Sequence, residues 1–396
     1  MDDTIECKKP FLDTSKLKEF EEKINSTNIF YESEKHKPRW NLICVFMDRL
    51  ESAVDYLNKH SLQPKSEEDL IFFMVFASIL KDGIYAIYKN MFGKEPCTTE
   101  NKKWFIEAMN CFKKWSSQDG EPTDDAFFEY LRAVSFAHPF NTSRNRCSSS
   151  RPFMAKNEIH LSLWVINKGL LFGKLSVGVR IYSNQTDDIQ DIYVKFENLK
   201  SYVKERYDLI ESASQWVEDE IKNQNDEWKQ KNIVPSQDAV DTLKNIISIL
   251  DERFVDTYTI ESAQELISFE FNEVNKEKAN HVKSKISNIL PLVCDSINEL
   301  DYEKMEELLS FLSDRPEKLH KGAHYQLEKI FTYLPQGSGP FMFGSNEQWA
   351  YEQAKHFYNE YAHRYVLIDF AKMNCLEIKL LIQIACILGC ETESKE

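Results

Sequence analysis

The stretch Ser66-Glu67-Glu68-Asp69-Leu70-Ile71-Phe72-Phe73-Met74-Val75-Phe76-Ala77-Ser78-Ile79-Leu80-Lys81-Asp82-Gly83-Ile84-Tyr85-Ala86-Ile87 decides the fold class. Its start resembles a capping box, in which a serine hydroxyl accepts the amide three residues on and an acidic side chain reaches back. Beyond the cap, Ile71, Phe72, Val75, Phe76, Ile79, Leu80, Ile84 and Ile87 recur at the spacing of a helix, not at the alternation of a strand. These apolar residues cover more than one side, so the helix belongs at the centre of a core.

Upstream, Pro38 precedes a second helical run, residues 40–57, with one stripe of Leu42, Ile43, Phe46, Met47, Leu50, Val54 and Leu57. Residues 1–38 are charge-rich and read as an arm with a short helix near 15–24. Downstream, a third helix is expected over 101–115, with Thr98 and Thr99 as cap candidates, and a fourth over 124–137. Asp124 and Asp125 suit the first turn of the fourth helix, where negative charge meets the positive end of the helix dipole. Pro139 disfavours helical geometry at His138, so that helix ends there.

The period then changes from 3.6 to 2. Residues 160–166 and 175–182 alternate as strands around a Lys168-Gly169 turn, and 191–196 suits a third strand. From Leu199 the helical period returns over 199–223, 238–254, 262–290 with breaks, 302–312, 318–333, 346–370 and 375–388, with a polar linker at 223–235. The expected fold is mostly α: an N-terminal helical bundle, a small antiparallel β hairpin or sheet in the middle, and a C-terminal helical domain. The segments are an arm at 1–38, a bundle at 39–155, a β insertion at 156–197 and a helical domain at 198–396.

A chain of 396 residues exceeds what one core fills, and only 11 Gly and 12 Pro favour helices over turn-dense β architecture. The net charge of −15 argues against a general nucleic-acid coat protein, because such proteins gain affinity by neutralising phosphates. Nine cysteines without a CxxC pair fit free thiols better than a disulfide framework, which points to the cytoplasm. The N-terminus lacks the basic and apolar segments of a secretory signal. The apolar run 376–388 is interrupted by Glu377, Lys379 and Gln383, so no membrane segment is implied.

Against this acidic background, residues 130–157 hold Arg132, Arg144, Arg146, Arg151 and Lys156 and no Asp or Glu. Arg132 and His138 stand six residues apart where the fourth helix meets a polar loop. Arginine offers a permanently charged fork suited to phosphate, and histidine exchanges a proton near neutral pH. Around a scissile phosphodiester the pair supports RNA cleavage without metal, with His138 as general base or acid in attack by the ribose 2′-hydroxyl and Arg132 countering the developing charge. In the loop, Thr142, Ser143, Arg144, Arg146 and Arg151 are candidate phosphate-binding residues. Phe136, Phe140 and Phe153 either stack on unpaired bases or anchor the loop to the core.

Four helices with an Arg-x5-His pair at the end of the fourth resemble the HEPN family of small helical nucleases, over about residues 39–150. The resemblance implies a metal-independent endoribonuclease of the toxin or antiphage-defence kind, with Arg132 and His138 as the catalytic pair, RNA as substrate, and a homodimer that joins two motifs. Ala133 departs from the polar residue common after the arginine, and Pro139 follows the histidine directly. A C-terminal helical domain would then recognise a protein partner or regulate the cut. The alternative is a non-catalytic helical interaction protein that uses the basic 130–157 window as a docking surface.

A second pair at this kind of spacing, Arg315 and His320, also occurs. His320-x3-His324 with Glu328 has the spacing of a zinc pair on one helix face, and Glu360-x-x-His363 is half of a di-iron motif. Neither has the remaining ligands in sequence, so no metal is expected. No GxGxxG, Walker A loop or GxSxG occurs, and no cofactor is implied.

Overall fold

The capping box at Ser66 forms as its sequence predicts. The Ser66 hydroxyl accepts the Asp69 amide at 3.1 Å, and the Asp69 carboxylate accepts the Ser66 amide at 3.2 Å. The 26-residue helix it opens ends at Gly93, whose φ of 69° is the left-handed conformation that a helix C-terminus favours in glycine. The computed structural model describes residues 10–62, 64–110, 123–138, 140, 160–165, 176–183, 189–316, 318, 320–335 and 344–393. The chain divides into two units, Met1–Lys222 and Asn223–Glu396. Both are helical, and a small antiparallel sheet belongs to the first.

Unit 1 contains α1 (Thr14–Asn25), α2 (Ile29–Glu32), α3 (Lys37–Lys59), α4 (Glu67–Phe92), α5 (Ile106–Asn110), α6 (Asp124–Arg132), β1 (His160–Val165), β2 (Ser176–Ser183), β3 (Ile189–Lys195), α7 (Phe196–Tyr207) and the first part of α8 (Ile210–Trp228). α3 packs along α4 with the predicted stripe: Ile43, Phe46, Leu50, Val54 and Leu57 are buried. Each such side chain contributes about 1.5–3 kcal/mol on burial.

On α4 the deepest face differs from the expected one. Leu70, Phe73, Met74, Ala77, Leu80, Ile84 and Ile87 are buried, whereas Phe72 is 53% exposed. A helix apolar on several sides does not specify which stripe meets its neighbours; contacts with α3 and α7 select it here. Among the described helices, α4 alone is long and apolar enough to cross a bilayer by length and composition.

Three further expectations are corrected. The arm is packed from residue 12 onward, with Leu12, Leu17, Phe20, Ile24, Ile29 and Phe30 buried in the core of unit 1. The third helix does not start at Asn101, because the backbone amides of Lys103, Trp104 and Phe105 are held by the Asp124 carboxylate. Thr98 and Thr99 lie in a 3-10 turn, Cys97–Glu100, and α5 begins at Ile106. The contacts divide the chain inside α8, so α7 belongs to unit 1 and not to a domain beginning at 198.

The sheet follows its sequence closely, with order β1-β2-β3 and both pairings antiparallel. Leu161 pairs with Tyr182, and Val179 pairs with Ile192. Val177, Val179, Ile192 and Val194 face the core of unit 1. Gly178 is required: a Cβ there would lie 2.6 Å from the Tyr193 ring and 2.7 Å from the Ile192 carbonyl oxygen. The Lys168-Gly169 turn lies outside the described residues.

Unit 2 contains the end of α8 and then α9 (Ala239–Glu252), α10 (Tyr258–Ser268), α11 (Glu273–Asn298), α12 (Tyr302–Leu309), α13 (Ala323–Tyr333), α14 (Ser345–Glu360) and α15 (Cys375–Glu393). The expected break in 262–290 falls at 269–272, where Asn272 caps α11 by accepting the Asn275 amide. Arg253 is 3% exposed and donates to the carbonyls of Ile297, Trp228 and Lys231, joining α8, α9 and α11. Cys44, Cys97, Cys294, Cys375, Cys386 and Cys390 are free thiols.

Candidate active site at the end of the sixth helix

α6 carries Arg132 in its last turn, and three sets of contacts fix the helix. Thr123 caps it by accepting the Ala126 amide. Asp124 is fully buried and accepts the amides of Lys103, Trp104 and Phe105 at 2.8–3.2 Å, which ties the helix start to the loop before α5. Asp125 accepts the Arg206 guanidinium at 2.9 and 3.1 Å, the Tyr202 hydroxyl at 2.8 Å and the Tyr85 hydroxyl at 2.7 Å. That network joins α4, α6 and α7.

Arg206 is 0% exposed and also donates to the Thr98 carbonyl and to Glu205. Burial, together with the Asp125 charge, pushes the Tyr85 and Tyr202 hydroxyls above their ordinary range, so both remain donors at neutral pH. Burial by itself lowers the Arg206 guanidinium, but Tyr202 and Asp125 beside it carry it above its ordinary value. The two acidic residues of the first turn thus do more than offset a helix dipole. They staple α6 to elements distant in sequence.

With that orientation fixed, Phe127, Phe128, Tyr130, Leu131 and Val134 turn into the core. Phe127 lies 5.0 Å from Phe105 and Phe128 stacks 4.7 Å from Tyr202, ring centre to ring centre. The opposite face leaves Glu129 and Arg132 half-buried. Glu129 accepts Arg132 through Nε at 2.9 Å and Nη2 at 2.8 Å, and its other oxygen accepts the buried Lys81 of α4. Glu129 precedes Arg132 by one helical turn, a spacing that favours ion pairs and could have revealed this partner.

Between Arg132 and His138 the helix widens. Residues Ala133–Ala137 form one π-turn, and the His138 amide donates to the Ala133 carbonyl at 2.8 Å. The helix ends at His138, as expected from Pro139, but its last turn is π rather than α. Such single π-turns are rare and occur frequently at functional sites. The turn packs against β1 and β2. Arg132, with 35% of its side chain exposed, and the half-buried His138 therefore bracket the turn, and neither is sunk in the apolar core.

Phe136 packs against the core, which favours its anchoring role, while Phe140 is 82% exposed. Thr142, Ser143, Arg144, Arg146, Arg151 and Phe153 lie outside the described residues. The second pair, Arg315 and His320, is committed elsewhere: Arg315 contacts His324 at 2.6 Å, and His320 contacts Gln326 at 2.7 Å and Glu360 at 3.3 Å. His320 and His324 do not share a helix face, because α13 begins at Ala323. Glu360 ends α14, and His363 sits in the following 3-10 turn against the Tyr358 carbonyl. Among the described residues, no three His, Cys, Asp or Glu side chains gather as a metal site.

No family model, no curated protein and no solved structure matches this chain.

Proposed function

We propose that this chain is a metal-independent, HEPN-like endoribonuclease of the toxin or antiphage kind, with Arg132 and His138 as its catalytic pair. The observation that carries this reading is the π-turn at the end of α6, which Arg132 and His138 bracket while both keep access to solvent. Glu129 occupies the Nε edge of the Arg132 guanidinium, and among the described residues Nη1 remains for a phosphate oxygen.

In the reaction, a neutral His138 imidazole takes the proton of a ribose 2′-hydroxyl, whose oxygen attacks the adjacent phosphorus. The O2′–P bond forms as the P–O5′ bond breaks, leaving a 2′,3′-cyclic phosphate. The departing O5′ takes a proton from an imidazolium, supplied in a homodimer by His138 of the partner subunit. Arg132 stabilises the charge on the non-bridging oxygens. Arg144, Arg146 and Arg151, with Thr142 and Ser143, would hold the flanking RNA phosphates, and unit 2 would serve recognition of a protein partner or regulation. Purified protein should cut single-stranded RNA in EDTA and leave 2′,3′-cyclic phosphate and 5′-hydroxyl ends. RNA left intact across varied sequences, or products with 3′-hydroxyl ends, would overturn the mechanism.

One contact favours a second reading, in which the window docks an acidic partner without catalysis. Arg132 is already paired with Glu129, as expected of a structural arginine. In that case charge reversal at Arg144, Arg146 and Arg151 breaks a complex, while His138→Ala changes nothing.

A further inference from the structure

Unit 2 holds a cleft that the nuclease reading does not use. Cavities of about 100 and 130 Å³ share Tyr258, Ser262, Phe331 and Gln383, which makes them one cleft among α10, α13 and α15. Its floor contains a polar group that the surrounding sequence does not prepare for. Gln383 is 7% exposed and stands between Ile382 and Ile384, both fully or nearly fully buried. Its Nε2 donates to the Leu312 carbonyl and to Ser262 Oγ, both at 3.0 Å, and the Leu312 contact orients the amide, since a carbonyl only accepts. Gln383 Oε1 is left with a single long contact of 3.3 Å from Ser262. A buried amide with a spare acceptor is costly unless something completes it.

At one end of the cleft lies Asp314, half-buried, whose carboxylate has no hydrogen bond or ion pair among the described residues. Burial pushes its carboxyl above the usual range, Lys285 opposes that, and Glu391 adds to it. Two cationic side chains also line the cleft, and their donors are engaged: Arg315 contacts His324, and Lys379 donates to the Leu334 carbonyl at 3.0 Å; with Asp314, the carboxylates of Glu261 and Glu265 outnumber them in the lining. Leu312, Leu327 and Phe331 supply apolar walls, and Tyr258, 62% exposed, stands at the rim. The polar demand of the cleft is therefore for a donor carrying positive charge, and its apolar walls require a short hydrocarbon body.

We infer that this cleft is a binding site for a small primary alkylammonium, with the ammonium at Asp314 and Gln383 Oε1 and the alkyl chain against Leu312 and Phe331. The inference is independent of the nuclease reading, because it concerns unit 2 alone. The test titrates the full-length chain with n-butylammonium chloride, n-butanol and sodium butyrate at matched ionic strength, followed by calorimetry. Butylammonium should bind at least tenfold more tightly than butanol or butyrate. Asp314→Asn should bring it to the level of butanol, and Thr259→Trp, which enlarges a lining side chain on α10, should abolish binding with helix content unchanged.

A lysine side chain carries the same ammonium, so Nα-acetyl-lysine methylamide is the remaining arm. It should bind several-fold more weakly, because its two amides lose water on approaching the apolar walls. Equal affinity for butanol and butylammonium, undiminished affinity in either variant, or no binding of the ammonium would overturn the site. Tighter binding of the lysine derivative would overturn the small-molecule assignment.

Discussion

Replacing Asp125 with alanine should loosen the whole of unit 1 while leaving unit 2 as it is. Asp125 accepts four hydrogen bonds, two of them from Arg206, whose side chain is 0% exposed. Removing one partner of a buried ion pair strands the other charge and costs about 3–5 kcal/mol. Thr98 and Glu205 still hold part of the Arg206 guanidinium, which places the expected loss near the lower end, about 3 kcal/mol.

Arg206→Met should cost less, because Tyr85 and Tyr202 continue to donate to Asp125. The double variant should lose less stability than the sum of the two single losses, with a coupling energy of about 2 kcal/mol or more. Native-state hydrogen exchange followed by mass spectrometry reads each unit separately. Protection should fall in peptides from α4, α6 and α7 and hold in α9 to α15. Additive single losses, or a loss below about 1 kcal/mol for Asp125→Ala, would refute the network as the element that positions α6.

The remaining predictions concern other structural joints. Asp124→Ala removes the acceptor of three backbone amides and should cost about 2–4 kcal/mol, with faster exchange at residues 103–105. Gly178→Ala should destabilise the sheet by about 1–3 kcal/mol, read as a lower melting temperature, because its Cβ would enter the Tyr193 ring and the Ile192 carbonyl. His36 is 1% exposed, and burial lowers its pKa below the ordinary 6.5, with Glu220 opposing the shift. The unfolded chain therefore takes up the proton first, so stability should decline as pH falls below 6.5. His36→Gln, which keeps a donor for Glu220, should flatten that decline in denaturant titrations at pH 7.5 and 5.5.

What could be read in the sequence was whatever depends on local period. The stripe from Ile43 to Leu57, the Ser66 capping box and the strands at 160 and 176 are each set by residues a few positions apart, and each forms where the pattern puts it. The joints across the chain were not readable. Asp124 reaches amides about 20 positions away, and Asp125 meets Arg206, 81 positions on; nothing local marks either partner.

The packed segment at 12–30 was masked by its charge, because Leu17, Phe20 and Ile24 are few among many polar residues yet fall on one face of α1. At the candidate site, Pro139 announced the helix end at His138. The π-turn had no local mark, since a sequence suited to α-helix suits π equally, and packing against β1 and β2 accompanies the choice. Glu129, three residues before Arg132, has the spacing of a helical ion pair and is marked by the sequence itself.

The most direct test compares wild-type protein with His138→Ala on one single-stranded RNA in EDTA, under single-turnover conditions and with melting temperatures matched. A general base or acid contributes about 10²- to 10⁴-fold, so the variant should cleave more slowly by at least a hundredfold. Cleavage by His138→Ala at the wild-type rate would contradict the assignment of the Arg132 and His138 pair.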